Sequence, residues 1–156
     1  VRYRQRLTRV VTRVSRTGDG PLYVVIGVAV WLAEIPRAEA FCLALILAFA
    51  IERPFYFLLK IGLKRNRPEQ VMPSIKAAVV PADQFSFPSG HTSAAFCFAT
   101  IAGMLLTGPH NPFFLWASAI GLSRIMLAVH FPCDVIAGAI IGSTIATISA
   151  GLVSAL

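Results

Sequence analysis

Acidic residues are scarce, seven in 156, and each stands apart: Asp19, Glu34, Glu39, Glu52, Glu69, Asp83 and Asp134. No carboxylate cluster is available to hold a two-metal site, so no metal and no cofactor is expected. Cysteine is as sparse. Cys42, Cys97 and Cys133 form no CxxC pair and two sit in apolar runs, which argues against a disulfide framework and a zinc site. Charge of either sign is low, 13% against 56% hydrophobic residues, and the mean hydropathy is +0.73, which excludes an ordinary soluble domain. No apolar signal-peptide core follows the basic N-terminus within its own length, and there is neither an internal repeat nor a low-complexity segment.

What is present is a series of apolar stretches in one domain, 1–156. Residues 21–35, 38–60, 90–106, 113–129 and 133–156 are each nearly free of charge and read as membrane spans. Ahead of them, Arg2, Arg6, Arg9, Arg13 and Arg16 recur at helical spacing. Tyr3, Leu7, Val10 and Val14 keep the same rhythm on another face, so residues 1–17 predict an amphipathic helix lying in the interface beside anionic lipids. The expected fold is an all-α integral membrane bundle of five transmembrane helices, or six with a further helix upstream. Gly138, Gly142, Ser143, Thr144 and Gly151 in the last span allow close helix approach. Glu52 and Arg53, inside the second span, read as a structural pair.

The net charge of +7 does not point to nucleic acid, because of where it sits. Six of the fourteen basic residues lie in the first sixteen positions and five more between Lys60 and Lys76. Alternation of five spans puts twelve basic residues on one side and leaves Arg37 on the other. The positive-inside rule places the rich side in the cytoplasm, which suggests a multi-pass protein of a bacterial inner membrane with its site facing inward.

Three polar segments gather on that side. Lys60 and Arg67 are seven residues apart, so both cations can share one helix face before Pro68 ends the helix. Pro88-Ser89-Gly90-His91 precedes an apolar helix; Ser89 is a natural N-cap, and the amides of Gly90 and His91 suit an anion. Ser123-Arg124 is followed by His130 and, one helical turn on, Asp134. That carboxylate can accept a hydrogen bond from one imidazole nitrogen and leave the other as base or nucleophile, while Pro132 suits the first turn of the new helix. Permanent cations, a helix N-terminus and two histidines together describe a site for a phosphate-like oxyanion. With no metal cluster the nucleophile has to come from the protein, and His130 is the best oriented candidate, with His91 placed to protonate the leaving oxygen. The 61–88 loop, with apolar residues at 75–80 and Phe85 and Phe87, reads as an active-site loop able to dip into the interface. Cys133 is expected to be a packing residue, and His110, in a Pro-flanked turn, to be solvated.

In this order the segments resemble the three signature motifs of the type 2 phosphatidic acid phosphatase superfamily, over residues 60–134. The resemblance implies a phosphohistidine on His130 oriented by Asp134, and His91 as general acid and then base. It also implies a phosphate held by Lys60, Arg67, Ser89, Gly90 and Arg124. The implied function is metal-independent hydrolysis of a lipid phosphomonoester or pyrophosphate, of the phosphatidylglycerophosphate, phosphatidic acid or undecaprenyl pyrophosphate class. Two other readings use the same pocket: phosphoryl transfer to another lipid, and a non-catalytic transporter that only grips phosphate. Vanadium haloperoxidases share the pocket but are soluble. The sequence gives no oligomeric state.

Overall fold

The computed structural model describes residues 2–81, 83–107 and 112–156, the side chains of 2–4 and 107 excepted. Its elements are helices: α1 (Arg2–Arg16), α2 (Gly20–Leu32), α3 (Ala38–Leu63), α4 (Pro68–Val71), α5 (Gly90–Ala102) continued by a π-helical turn (Gly103–Thr107), α6 (Phe113–Met126) and α7 (Pro132–Ser154). No strand occurs among the described residues. His110 and most of its turn lie outside them.

Two helices, α3 and α7, are long and apolar enough to cross a bilayer; α2, α5 and α6 are apolar and shorter. The outer surface fits lipid. Ile46, Leu58, Ile61, Leu115, Ile136 and Ile140 are each more than 60% exposed, an arrangement water would penalise and acyl chains do not. Inside, Phe41, Ala44, Ala48, Cys97, Phe98, Ile101, Ala146 and Ala150 are almost wholly buried, and the Phe98 ring packs edge-on against Phe41, Phe113 and Trp116.

The central helix is α5, packed on α3, α6 and α7. Its contact with α7 is made by missing side chains. A Cβ on Gly138 would lie 2.6 Å from the Ser89 carbonyl oxygen, and one on Gly142 would lie 2.1 Å from that of Ser93. The two backbones therefore touch, and the start of α5 is held beside the start of α7, where the Ser89 N–H donates to the Asp134 carbonyl at 3.0 Å. Within the bundle the Glu52 carboxylate is fully buried and accepts from Ser93 and from its neighbour Arg53. That is the structural pairing expected of these residues, and it satisfies a carboxylate that would otherwise be costly there.

The helix α1 is seated on α6. Val11 is buried against Leu127 and Val129, with Ala77 and Val79 of the 61–88 loop packed on the same cluster. Arg6, Arg9, Arg13 and Arg16 stay exposed, as do Leu7 and Val10. Arm, loop and the turn after α6 thus meet at one end of the bundle.

Candidate active site

That end carries the polar segments. Lys60 lies in the last turn of α3, which runs on to Leu63 through Pro54. The sequence spacing implies that Arg67 continues the same helix; it does not. Lys64 turns left-handed (φ 45°), the chain leaves the helix, and Arg67 sits extended as the N-cap of α4. Both cations nevertheless arrive at one point, the carboxylate of Asp83. Lys60 Nζ donates to Asp83 Oδ2 at 2.7 Å and the Arg67 guanidinium to Oδ1 at 2.7 Å. The Tyr56 hydroxyl also donates to Oδ2, at 2.8 Å. A further Arg67 nitrogen donates to the Val129 carbonyl at 2.6 Å, so the arginine is buried and fixed. Burial works to raise the Asp83 pKa, yet the hydrogen bonds from Lys60 and Tyr56 and the charges of Lys60 and Arg67 hold it below the usual carboxylate range.

Ser89 is the N-cap residue of α5, but its hydroxyl pairs with Thr92 Oγ1 at 2.8 Å instead of capping the backbone. Gly90 is required where it stands, since a Cβ would come within 2.8 Å of the Tyr56 ring. His91 follows in the first turn, and its Nε2 lies 2.9 Å from Asp19 Oδ1, a residue of the turn between α1 and α2.

The third segment begins at the end of α6, where Arg124 is buried and one of its terminal nitrogens donates to Ser15 Oγ of α1 at 2.6 Å. The chain turns left-handed at Ala128 (φ 56°), and His130 emerges before Pro132 opens α7. Asp134 is fully buried. Its Oδ2 accepts from the Phe131 N–H at 2.8 Å and its Oδ1 from Arg65 at 2.8 Å. The His130 Nδ1 stands 3.7 Å from Oδ2 and has no hydrogen-bond partner among the described residues. The pairing read from the one-turn spacing is present as an orientation, not as a closed hydrogen bond. Burial pushes the His130 imidazole down to about 4, and the Arg67 and Arg124 charges act the same way against the opposing pull of Asp134. The ring is neutral at pH 7, with a lone pair free for chemistry.

The structure thus gathers the sequence candidates Lys60, Arg67, Ser89, Gly90, His91, Arg124, His130 and Asp134 at one end of the bundle. It adds Tyr56, Asp83, Arg65, Asp19 and Ser15. Tyr56 stands one helical turn before Lys60 on α3 and contacts it there; Asp83, Arg65, Asp19 and Ser15 reach the site through tertiary contact. Cys133 is exposed and its sulfur accepts from Arg65. Beside Asp83 and His91 a cavity of about 510 Å³ opens between α2, α3 and α5. Its polar end carries Arg53, Asp83 and His91, and its flank is formed by Val24, Phe49 and Phe57.

A helical bundle with apolar outer walls carries a cationic, two-histidine site at one end. Comparison with known proteins identifies the family. The PAP2 superfamily matches residues 38–155. Phosphatidylglycerophosphatase B of Bacillus subtilis is 30% identical over 152 residues, covering 87% of this chain and 70% of that protein. The crystal structure of a transmembrane PAP2 type phosphatidylglycerolphosphate phosphatase from Bacillus subtilis superposes with a TM-score of 0.76 at 28% identity, covering 96% of this chain and 78% of the other. That of Aquifex aeolicus LpxE gives 0.79 at 30% identity, covering 92% and 84%. The chain belongs to the PAP2 superfamily. It spans between about two-fifths and three-quarters of the length of the curated relatives it matches.

Proposed function

We propose that this protein is a metal-independent membrane lipid phosphatase acting through a phosphohistidine on His130. The observation that carries the reading is the buried His130 beside Asp134, with the charges of Arg67 and Arg124 acting on it. With Nδ1 turned to Asp134, Nε2 is the attacking nitrogen. Its lone pair forms the N–P bond as the P–O bond to the leaving group breaks, and His91 gives that oxygen its proton. Water, deprotonated by the now neutral His91, then attacks phosphorus, the N–P bond breaks, and inorganic phosphate leaves. Lys60, Arg67, Arg124, Ser89 and the Gly90 amide hold the phosphoryl oxygens, supplying charge that a metal would otherwise supply. The apolar flank of the 510 Å³ cavity takes the start of the lipid chain. Five spans, with the site on the cytoplasmic side, agree with the placement of the basic residues.

The test is phosphate release by detergent-purified protein with a chelator present, using phosphatidylglycerophosphate, phosphatidic acid and undecaprenyl pyrophosphate. Undecaprenyl pyrophosphate and phosphatidylglycerophosphate are tried first, since relatives named for an undecaprenyl-diphosphatase and a phosphatidylglycerophosphatase align over 96% and 87% of this chain. Chelator-resistant release from at least one substrate is expected. Folded protein that binds vanadate and turns over none of the three contradicts the reading.

Two further outcomes follow. The nucleophile has to be unprotonated, and its pKa is low, so formation of the phosphohistidine, which also needs His91 protonated, is retained or gains as pH falls from 7 to 5.5 and is lost as pH passes about 4. A single-turnover pH profile for formation of the intermediate whose acid limb lies near 6.5, the value of an unperturbed histidine, contradicts that assignment. Asp83, meanwhile, occupies the oxygen positions that a phosphate would take on Lys60 and Arg67, and a bound anion has to displace it. Asp83→Asn weakens that competition, and inhibition by orthovanadate is expected to tighten about tenfold. Weaker inhibition in the variant means instead that Asp83 orients the two cations for the anion.

A further inference from the structure

The end of α1 and the turn after it lie outside residues 38–155, which carry the family match. They are nevertheless fastened to the site at several points. Ser15 is 3% exposed and accepts from Arg124 at 2.6 Å. Thr17 Oγ1 accepts from the Trp116 indole at 2.8 Å. Gly18 passes so close to α6 that a Cβ would lie 3.1 Å from Ile120, and its carbonyl takes the Tyr23 hydroxyl. The next residue is Asp19, whose Oδ1 meets His91 Nε2 at 2.9 Å. Between this segment and the site lies a cavity of about 490 Å³ that Ser15, Asp19, His91 and Arg124 all line. An exposed aspartate on a free tether would find a histidine only in passing. This one is delivered by a segment locked on both sides of it.

We infer that Asp19 is a positioning residue for His91. Its carboxylate accepts the Nε2–H, fixes the imidazole in that tautomer, and leaves Nδ1 as the nitrogen that transfers the proton. The inference rests on the reading of His91 as the general acid and base. In the first half-reaction the Nδ1 proton passes to the leaving oxygen as the P–O bond breaks. In the second, the Nδ1 lone pair takes a proton from the attacking water, and the Nε2–H stays with Asp19 throughout. The amphipathic arm is then part of the site as well as an element at the membrane surface. Ser15 acts in parallel on Arg124.

The experiment compares wild type with Asp19→Ala, and with Asp19→Asn, which keeps the shape and removes the charge. Steady-state kinetics is expected to show kcat lowered about tenfold or more with KM within about twofold, because the lost interaction serves proton transfer and not substrate binding. Imidazole 15N spectra of the detergent-solubilised chain, with the His91 signals assigned by His91→Ala, give a second readout that needs no turnover. Wild type is expected to show His91 as a single Nε2–H tautomer, and both Asp19 variants a mixture. Unchanged spectra in the variants, or kcat unchanged in folded variants, overturn the inference. So does a kcat loss accompanied by an undisturbed tautomer, which would mark a role in packing alone. If wild type releases no phosphate from any of the three lipids, the phosphatase reading falls, while the spectra still decide whether Asp19 sets the state of His91.

Discussion

His130→Ala is expected to lower phosphate release at least about a thousandfold without unfolding the protein, because it removes the atom that is to carry the phosphoryl group. The site leaves no ready substitute. His91 is held at Nε2 by Asp19 and is assigned to proton transfer, Asp83 and Asp134 are tied to cations, and Cys133 is exposed at the edge. The substitution also removes a buried ring whose Nδ1 has no hydrogen bond among the described residues, so little polar satisfaction is lost with it. The thermal midpoint in detergent is expected to hold while activity vanishes, and vanadate binding is expected to persist, since Lys60, Arg67 and Arg124 remain. Residual release within tenfold of wild type would remove His130 from the role assigned to it.

The second large effect is on the fold. Gly142→Ala places a methyl group 2.1 Å from the Ser93 carbonyl oxygen and 3.0 Å from the Cys97 amide nitrogen. Both are backbone atoms of a central buried helix and cannot rotate aside, so α5 and α7 have to part. Overpacking of this kind costs about 1–3 kcal/mol, and a 2.1 Å approach to backbone puts this change at the upper end. Parting the helices also separates Ser89 and His91 from His130 and Asp134, and activity is expected to fall together with the thermal midpoint. Gly151→Ala is the control. A Cβ added there would meet nothing within 4 Å, and the same change is expected to leave the midpoint unchanged or raise it. Equal effects at the two positions would show that the α5–α7 contact does not limit stability.

Much of this architecture is legible in the chain itself. The apolar helices fall within a few residues of the expected stretches, because length and hydropathy dominate in a chain so poor in charge. Gly138 and Gly142 stand out in the sequence as small residues able to admit a neighbour, and α5 fills the space they leave. Other features are not legible. The seven-residue spacing of Lys60 and Arg67 suggests a shared helix face, whereas a left-handed Lys64 breaks the helix and Asp83, sixteen residues beyond Arg67, reunites them. Asp83 has no signal of its own, since a single acid in a Pro-punctuated loop looks like solvated surface. Asp19 and Ser15 are hidden for the same reason, as their partners lie 72 and 109 residues away. The His130–Asp134 spacing gives the right neighbours but cannot show that the two stand 3.7 Å apart or that the Phe131 amide and Arg65 bond the carboxylate.

The central claim is that phosphate passes through His130. It is tested most directly by mixing the His91→Ala variant with undecaprenyl pyrophosphate, quenching in alkali, and mapping phosphorylated peptides by mass spectrometry. Loss of the proposed water-activating base slows breakdown of the intermediate more than its formation where the leaving group is a good one, such as phosphate from a pyrophosphate lipid. The account predicts an alkali-stable, acid-labile phosphoryl group on His130. Phosphoryl groups found on another residue, or turnover that continues in His130→Ala, would contradict it.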